Sequence, residues 1–362
     1  MITMQEIADR AHVSIGTVSN VVNGKAKVRE SLRARVLAVI QELGYQPSQL
    51  ARALRRSTTN IVGMIIPDIS NPFFPAVVRG AEDVASKASY HLVLCNTDND
   101  PAKERSYLDE LRSYHPSGLL IIPAAGSKLT AELQPESGAH TPTVCVDRCP
   151  IDWKGDAVLV ANEEGSYRIT KYLIQMGHRH LATITGPLHL TNAAARLKGF
   201  EKAIKESGLK VAPEFIQEGQ FDRMSGYQCG LRLLKMLPRP TAIFAANDMI
   251  ALGVLLASKE LELRCPEDIS LAGFDNQEFA EFTNPALTTV HQPGYQLGAT
   301  AARILLDRIR GKKGAAEQVV LPTEPKIRNS VARVGGERSK PAPVTRPRSA
   351  SGVARKRIRA LS

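Results

Sequence analysis

The sequence predicts an α/β protein: a small all-α helix-turn-helix head on a body of two subdomains with parallel sheets. Three observations predict it. Two very short helical segments separated by a tight turn open the chain. From Ile61 onward apolar strands alternate with amphipathic helices, the pattern of parallel sheets covered on both faces. Charge is also segregated. Residues 1–60 hold nine Lys/Arg against four Asp/Glu, residues 333–362 hold nine against one, and the whole chain is +11, so the middle is slightly acidic. Basic ends on such a body point to nucleic acid at the head and leave the middle free for another ligand.

In the head, Thr3 is placed to cap a first helix, with Glu6 at capping-box spacing. Met4, Ile7, Ala8 and Ala11 follow at helical spacing, and the helix stops at His12, a residue that tolerates positive φ better than most. Ser14 caps a second helix, 15–22, stopped by Asn23-Gly24. A third, from about Ser31 to Leu43, carries Leu32, Val36, Val39, Ile40 and Leu43 on one face and ends at Gly44. Helices this short are marginal alone. They are read as one compact unit whose second helix enters the DNA major groove; the plainer alternative is a three-helix bundle with solvated basic faces. After Pro47, Ser48 caps QLARALRR, about two turns long. An Ala-Leu stripe between arginines is more than a plain linker needs.

The run IADRAHVSIGTVSNVVNG, then V-R-x-x-x-R-x-R-V, then LGYQPSQLARALRR, resembles the head of the lactose/galactose repressor family almost position by position. The resemblance implies a DNA-binding set: Thr3, Ser14, Ile15, Gly16, Thr17, Ser19, Asn20 and Asn23 in the head, and Ala51, Leu54 and Arg55 in a hinge helix. In that family the hinge helix lies in the minor groove, and the residue matching Leu54 wedges between bases. The chain departs from the family where bases are read. Gly16 has no side chain, Ile15 suits only a thymine methyl, and Asn20 can pair bidentately with adenine.

In the body IVGMII, HLVLC, GLLIIP, TPTVCV, HLATIT, TAIFAA and DISLAGF read as strands. The alternation restarts around Val160-Ala161-Asn162, and the chain crosses back near His291 and again near Leu321. The expected organisation is a head (1–46), a hinge (47–60), an effector-binding and dimerisation body (61–332) and a basic tail (333–362). Within the body, 61–161 with 291–320 forms one subdomain and 162–289 with 321–332 the other. The tail, rich in Arg, Pro, Ser and Gly, cannot bury a core and is expected to be disordered.

Ligands of such sheets bind beyond the carboxyl ends of the strands. There the sequence places Asn71, Phe73 and Phe74, then Asp147 and Arg148, then Arg196, Phe221, Asn247, Asp275 and Gln292. Acids, amides and guanidiniums suit hydroxyls, and aromatic faces suit a flat ring. Singly, each has an ordinary role: a helix cap for Asn71, core for the phenylalanines, a surface ion pair for Asp147 and Arg148. Asp98 stands at another strand end, where a turn role fits equally. Together the ten resemble the sugar cleft of the same repressor family and of periplasmic sugar-binding proteins. All ten match positions that hold the sugar in ribose-binding proteins. The resemblance implies a periplasmic-binding-protein-like body, and an effector that is a pyranose monosaccharide, leaning toward ribose. Arg196 and Asp275 are expected to reach ring hydroxyls from opposite subdomains. It further implies a homodimeric repressor on a near-palindromic double-stranded operator, released by its effector, in the bacterial cytoplasm at the nucleoid.

A transport-type sugar-binding protein is the alternative from another class. It would need a signal peptide, and MITMQEIADR has acids early and no apolar core. An activator or a corepressor-dependent regulator would differ only in the sign of coupling. No enzyme is expected: G-x-G-x-x-G after a strand, a P-loop and a nucleophile–base pair are all missing. No cofactor or metal is expected either, since Cys145 and Cys149 have no second Cys/His pair beside them. The five scattered cysteines read as buried thiols of a reducing compartment. No apolar run approaches the roughly 18 residues of a membrane span.

Overall fold

Met4–Arg10 (α1), Ile15–Val22 (α2) and Glu30–Leu43 (α3) build the head in a computed structural model that describes residues 2–22, 28–45, 59–124, 126–127, 133 and 141–335. The capping box forms: the Thr3 hydroxyl accepts from the Glu6 N–H, and the Glu6 carboxylate accepts from the Thr3 N–H at 2.7 Å. His12 takes φ 50°, so the turn has the backbone its sequence suggested. Ser14 Oγ accepts from the Thr17 N–H at 3.2 Å and caps α2. Gly44, at φ 60°, ends α3 in the left-handed conformation that favours glycine. Ile7, Ala8, Ala11, Val18, Val21, Val36 and Val39 close one small core. Asn23 and Gly24, the hinge with Ala51, Leu54 and Arg55, and the tail from 336 lie outside the described residues.

The body opens with Ile61–Ile66 (β1), Phe73–Lys87 (α4), His91–Asn96 (β2), Pro101–Ser113 (α5), Gly118–Ile121 (β3), Thr143–Asp147 (β4) and Asp156–Val160 (β5). After Asn162–Gln175 (α6) come Leu181–Thr185 (β6), Thr191–Glu206 (α7), Ile216–Glu218 (β7), Arg223–Leu234 (α8), Ala242–Ala245 (β8), Asp248–Glu260 (α9) and Ser270–Ala272 (β9). Thr289–His291 (β10), Gly294–Ile309 (α10), Gln318–Leu321 (β11) and Glu324–Lys326 (β12) follow. One parallel sheet runs β11-β5-β4-β3-β1-β2 and a second runs β7-β6-β8-β9. The chain returns to the first sheet through α10 and leaves it after β11. β10 and β12 pair antiparallel beside these crossings.

Strand β5 is a finding that the alternation concealed. It pairs parallel to β4, and residues 148–155 join the two without a helix, so the strand–helix rhythm skips it. Trp153 fills that connection and donates its indole N–H to the Asp156 carbonyl at 3.0 Å.

Each sheet buries its own core. Met64, Ile66, Leu120, Val144 and Val158 pack with α4 and α10, and Ile184, Ile243, Ala245 and Leu271 pack with α8 and α9. Helices α4 and α10 touch backbone to backbone: a Cβ on Gly80 would stand 2.0 Å from the Tyr295 carbonyl oxygen, and one on Gly298 1.9 Å from that of Val77. Only glycine allows that approach. No helix among the described residues is long and apolar enough to cross a membrane.

Candidate effector cleft and DNA-reading head

All ten strand-end residues line one cavity of about 400 Å³ between the two sheets. One wall comes from the first sheet. Asn71 Oδ1 accepts from the Phe73 N–H at 3.1 Å and sets the start of α4, which turns Phe73 and Phe74 into the cavity. Both rings are also core, packed edge to face with centroids 5.3 Å apart. At the end of β4, Asp147 has φ 64°, an uncommon backbone for a non-glycine residue and of the kind that persists at functional sites. Arg148 Nε donates to the Pro123 carbonyl at 2.7 Å and Nη2 to Asn99 Oδ1 at 3.0 Å.

The opposite wall comes from the second sheet. Arg196 of α7 is 3% exposed and lies with its guanidinium 3.9 Å from the Phe274 ring centroid. Its nitrogens donate to Asn162 Oδ1 at 2.7 Å, the Ala246 carbonyl at 2.6 Å, Gln292 Oε1 at 3.0 Å and Asp275 Oδ1 at 3.5 Å. Gln292 Nε2 also donates to Asp275 Oδ1, at 3.4 Å. Asn247 caps α9 through Ile250 and donates to the Phe221 carbonyl at 3.2 Å. The Phe221 ring packs against Gly186, where a Cβ would come within 2.3 Å of it.

Arg196 and Asp275, expected from opposite subdomains, instead stand on the same one. Arg196 follows β6 and Asp275 follows β9, strands of one sheet, and the two side chains bond to each other. The acid facing them from the first sheet is Asp147, and the guanidinium of its neighbour Arg148, bonded to Pro123 and Asn99, lies close enough to pull on its charge.

Burial governs the charges. It pushes the Asp147 and Asp275 carboxyls up, against the pull of nearby guanidiniums: Arg196 and Arg148 at Asp147, Arg196 at Asp275. Burial also pushes Arg148 down to about 10. Beneath Asp275, Asp248 accepts from the Thr289 hydroxyl at 2.6 Å and the Gln277 N–H at 2.7 Å, and burial raises it to about 7.

The sequence reading missed Asp68, Asn99, Asn192, Gln220 and Asp222, which also line the cavity. Asn99 had a signal in the Asp98-Asn99-Asp100 run that ends β2, where Asp98 and Asn99 both take positive φ. Asp98 lines the cavity and also pairs with Lys103 at 2.5 Å, so its turn role and its site position coexist. Asn192 is the second residue of α7, and nothing in HLTNAAAR distinguishes it.

On α2, Ile15 is 43% exposed, Gly16 is exposed, and Thr17 and Asn20 are partly exposed. Ser19 is only 8% exposed, which sets it against the head's own core. Thr3 and Ser14 are exposed at the starts of α1 and α2. Among the described residues no cluster of His, Cys, Asp and Glu could hold a metal, and the five cysteines are free.

A helix-turn-helix head joined to a two-walled ligand cleft defines a ligand-controlled DNA-binding regulator. Residues 3–48 match the family model for bacterial regulatory proteins of the lacI family, and residues 170–331 match a periplasmic binding protein-like domain. The HTH-type transcriptional repressor PurR of Vibrio vulnificus (strain CMCP6) is 36% identical over 336 residues, 92% of this chain and 100% of the relative. The lac repressor dimer bound to operator and the anti-inducer ONPF is 26% identical with TM-score 0.80, covering 91% of this chain and 99% of that one. A LacI family transcriptional regulator from Enterococcus faecium with bound ribose is 31% identical with TM-score 0.68, covering 76% and 99%. The chain belongs to the lacI family and is a DNA-binding transcriptional repressor.

Proposed function

We propose that this repressor acts as a homodimer on a near-palindromic operator in the cytoplasm, and that a monosaccharide, ribose in the first place, releases it. The observation that carries the sugar reading is Asp147 Oδ1, a buried carboxylate oxygen on the cavity wall with no hydrogen-bond partner among the described residues. A buried acceptor of that kind is costly unless a donor meets it. Sugar hydroxyls both donate and accept, so a ring of them suits acids and guanidiniums on facing walls, Asp147 and Arg148 on one and Asp275 and Arg196 on the other. A cavity of about 400 Å³ is near the small end for ligand sites and suits one ring. The Enterococcus faecium regulator with bound ribose supports the same class. A purine base is the rival ligand: the phenylalanines could hold its faces and its in-plane N–H groups could meet Asp147, so the release experiment must include it.

In the head, Asn20 carries most direct base reading, with Ile15 and Thr17 beside it and the Gly16 backbone close to the groove. Thr3 and Ser14 hold phosphates at helix starts. Leu54, with Ala51 and Arg55, kinks the minor groove on the strength of family resemblance. Sugar and operator oppose each other through one coupling energy, of order 1–3 kcal/mol. The test selects an operator in vitro and follows its release by fluorescence anisotropy as ribose, a hexose or a purine base is added. Release by ribose is expected. Release by the purine alone, or tightening by ribose, would overturn the reading.

A further inference from the structure

Two hydrogen bonds made by the chain itself cross the cleft. Asn192 Nδ2 donates to Asp147 Oδ2 at 3.0 Å, and Thr191 Oγ1 donates to the Cys149 carbonyl at 3.1 Å. Donors and acceptors stand on opposite walls: Thr191 and Asn192 begin α7 on the second sheet, while Asp147 and Cys149 end β4 on the first. Asn192 is 5% exposed and Asp147 3%, so water competes weakly for their bond. The Asn192 amide is oriented from its other end, since its Oδ1 accepts from the Ala193 N–H at 2.9 Å. That leaves the amino group facing the carboxylate. Asp147 is fixed in turn by its φ of 64°.

The place of these bonds matters as much as their geometry. Asp147 and Asn192 line both the effector cleft and a second cavity of about 500 Å³ on the side of residues 159–164, where the chain passes between the sheets. Their bond is therefore made by residues that both cavities share. Thr191 lines only the second cavity, so it holds the walls together without lining the ligand space.

We propose that Thr191 and Asn192 form a latch that sets how often the cleft is closed, and so are positioning residues for the effector. The latch uses one oxygen of Asp147, Oδ2, and leaves Oδ1 buried without a partner among the described residues. A protein whose binding-competent form is only fractionally populated binds its ligand more weakly by that fraction. Loosening the latch at Thr191, which does not line the cleft, therefore weakens effector binding without removing a ligand contact. The affinity part of this inference rests on the proposed sugar reading; the shape part does not.

The experiment compares full-length wild type with Thr191→Val, Asn192→Ala and Asn192→Asp, each first checked for folding by its melting curve. Small-angle scattering without added sugar is expected to give a larger radius of gyration for each variant, largest for Asn192→Asp, which sets a second carboxylate against Asp147. Ribose affinity is expected to fall about three- to tenfold for Thr191→Val, the range for one net hydrogen bond, and saturating ribose is expected to restore the wild-type radius. Weaker affinity with an unchanged radius would mean direct contact and would overturn the latch. An unchanged radius with unchanged affinity would overturn it as well. Expanded variants of a wild type that binds no sugar would leave the latch standing and sink only the sugar reading.

Discussion

Asn20 and Arg196 are both polar residues on helices, and both are assigned to recognition, yet their surroundings are opposite. Asn20 is partly exposed on α2, and the head's core is closed by Val18 and Val21 without it. Arg196 is 3% exposed, stacked on Phe274 and bonded to four residues that include the loop carbonyl after β8. The head presents Ile15, Gly16 and Asn20, the residues proposed to read bases, on a surface that the fold does not need. The cleft makes the residues proposed to bind effector part of the fold. Operator preference can therefore drift while the head stays intact, whereas a change of effector must be repacked.

The largest expected effect lies on the cleft side of this comparison. Arg196→Ala strands Asp275 in a desolvated wall and removes three further bonds, at a cost of about 3–5 kcal/mol for breaking a buried pair. Urea unfolding is expected to show that loss in the body, and the effector response to vanish. A variant as stable as wild type would show that Arg196 is not structural and would break the comparison. Asp275→Asn keeps the shape and weakens the charge pairing with Arg196, at about 1–3 kcal/mol. Operator binding is expected to survive in anisotropy measurements while release fails. Loss of operator binding with normal release would reverse the assignment.

The head is expected to behave the other way. Asn20→Ala costs about 1–3 kcal/mol on the best operator, with the melting temperature and effector affinity unchanged. Selection with the variant is expected to lose an adenine preference at one position. The same consensus at the same affinity would remove Asn20 from base reading.

A further expected effect is a pH slope set by the buried acids of the body. Burial raises Asp248 to about 7, against about 3.9 in an unfolded chain. Between those values the folded chain keeps a proton that the unfolded chain has released. Its contribution is therefore fully present below about pH 4 and is lost as pH rises toward 7. Asp147 and Asp275, also raised, act with the same sign. Asp248→Asn is expected to flatten the fall in melting temperature between about pH 4 and pH 7. An unchanged slope would place the proton elsewhere.

The same contrast explains what the sequence made legible. The head was readable because local signals decide it: Thr3 with Glu6, His12 at the turn, Ser14, Gly44. The ten cleft residues were readable because strand ends in a parallel sheet converge on one place. What stayed hidden depends on long-range placement. Strand β5 broke the strand–helix rhythm. Arg196 and Asp275 both fall within the subdomain that the alternation bounds at 162–289, but their direct bond requires the order β7-β6-β8-β9, which no local pattern carries. Asn192 looked like any helix-start residue until the fold brought it to Asp147.

Titration calorimetry of the full-length wild type with ribose, a hexose and a purine base tests the central claim most directly, with Asp147→Ala as the companion. One ribose site per chain is expected, with weaker or absent binding of the hexose, none of the purine, and loss of the ribose signal in Asp147→Ala, which removes the buried unpartnered oxygen. Purine binding with no heat from ribose, or ribose binding that Asp147→Ala leaves unchanged, would contradict that claim.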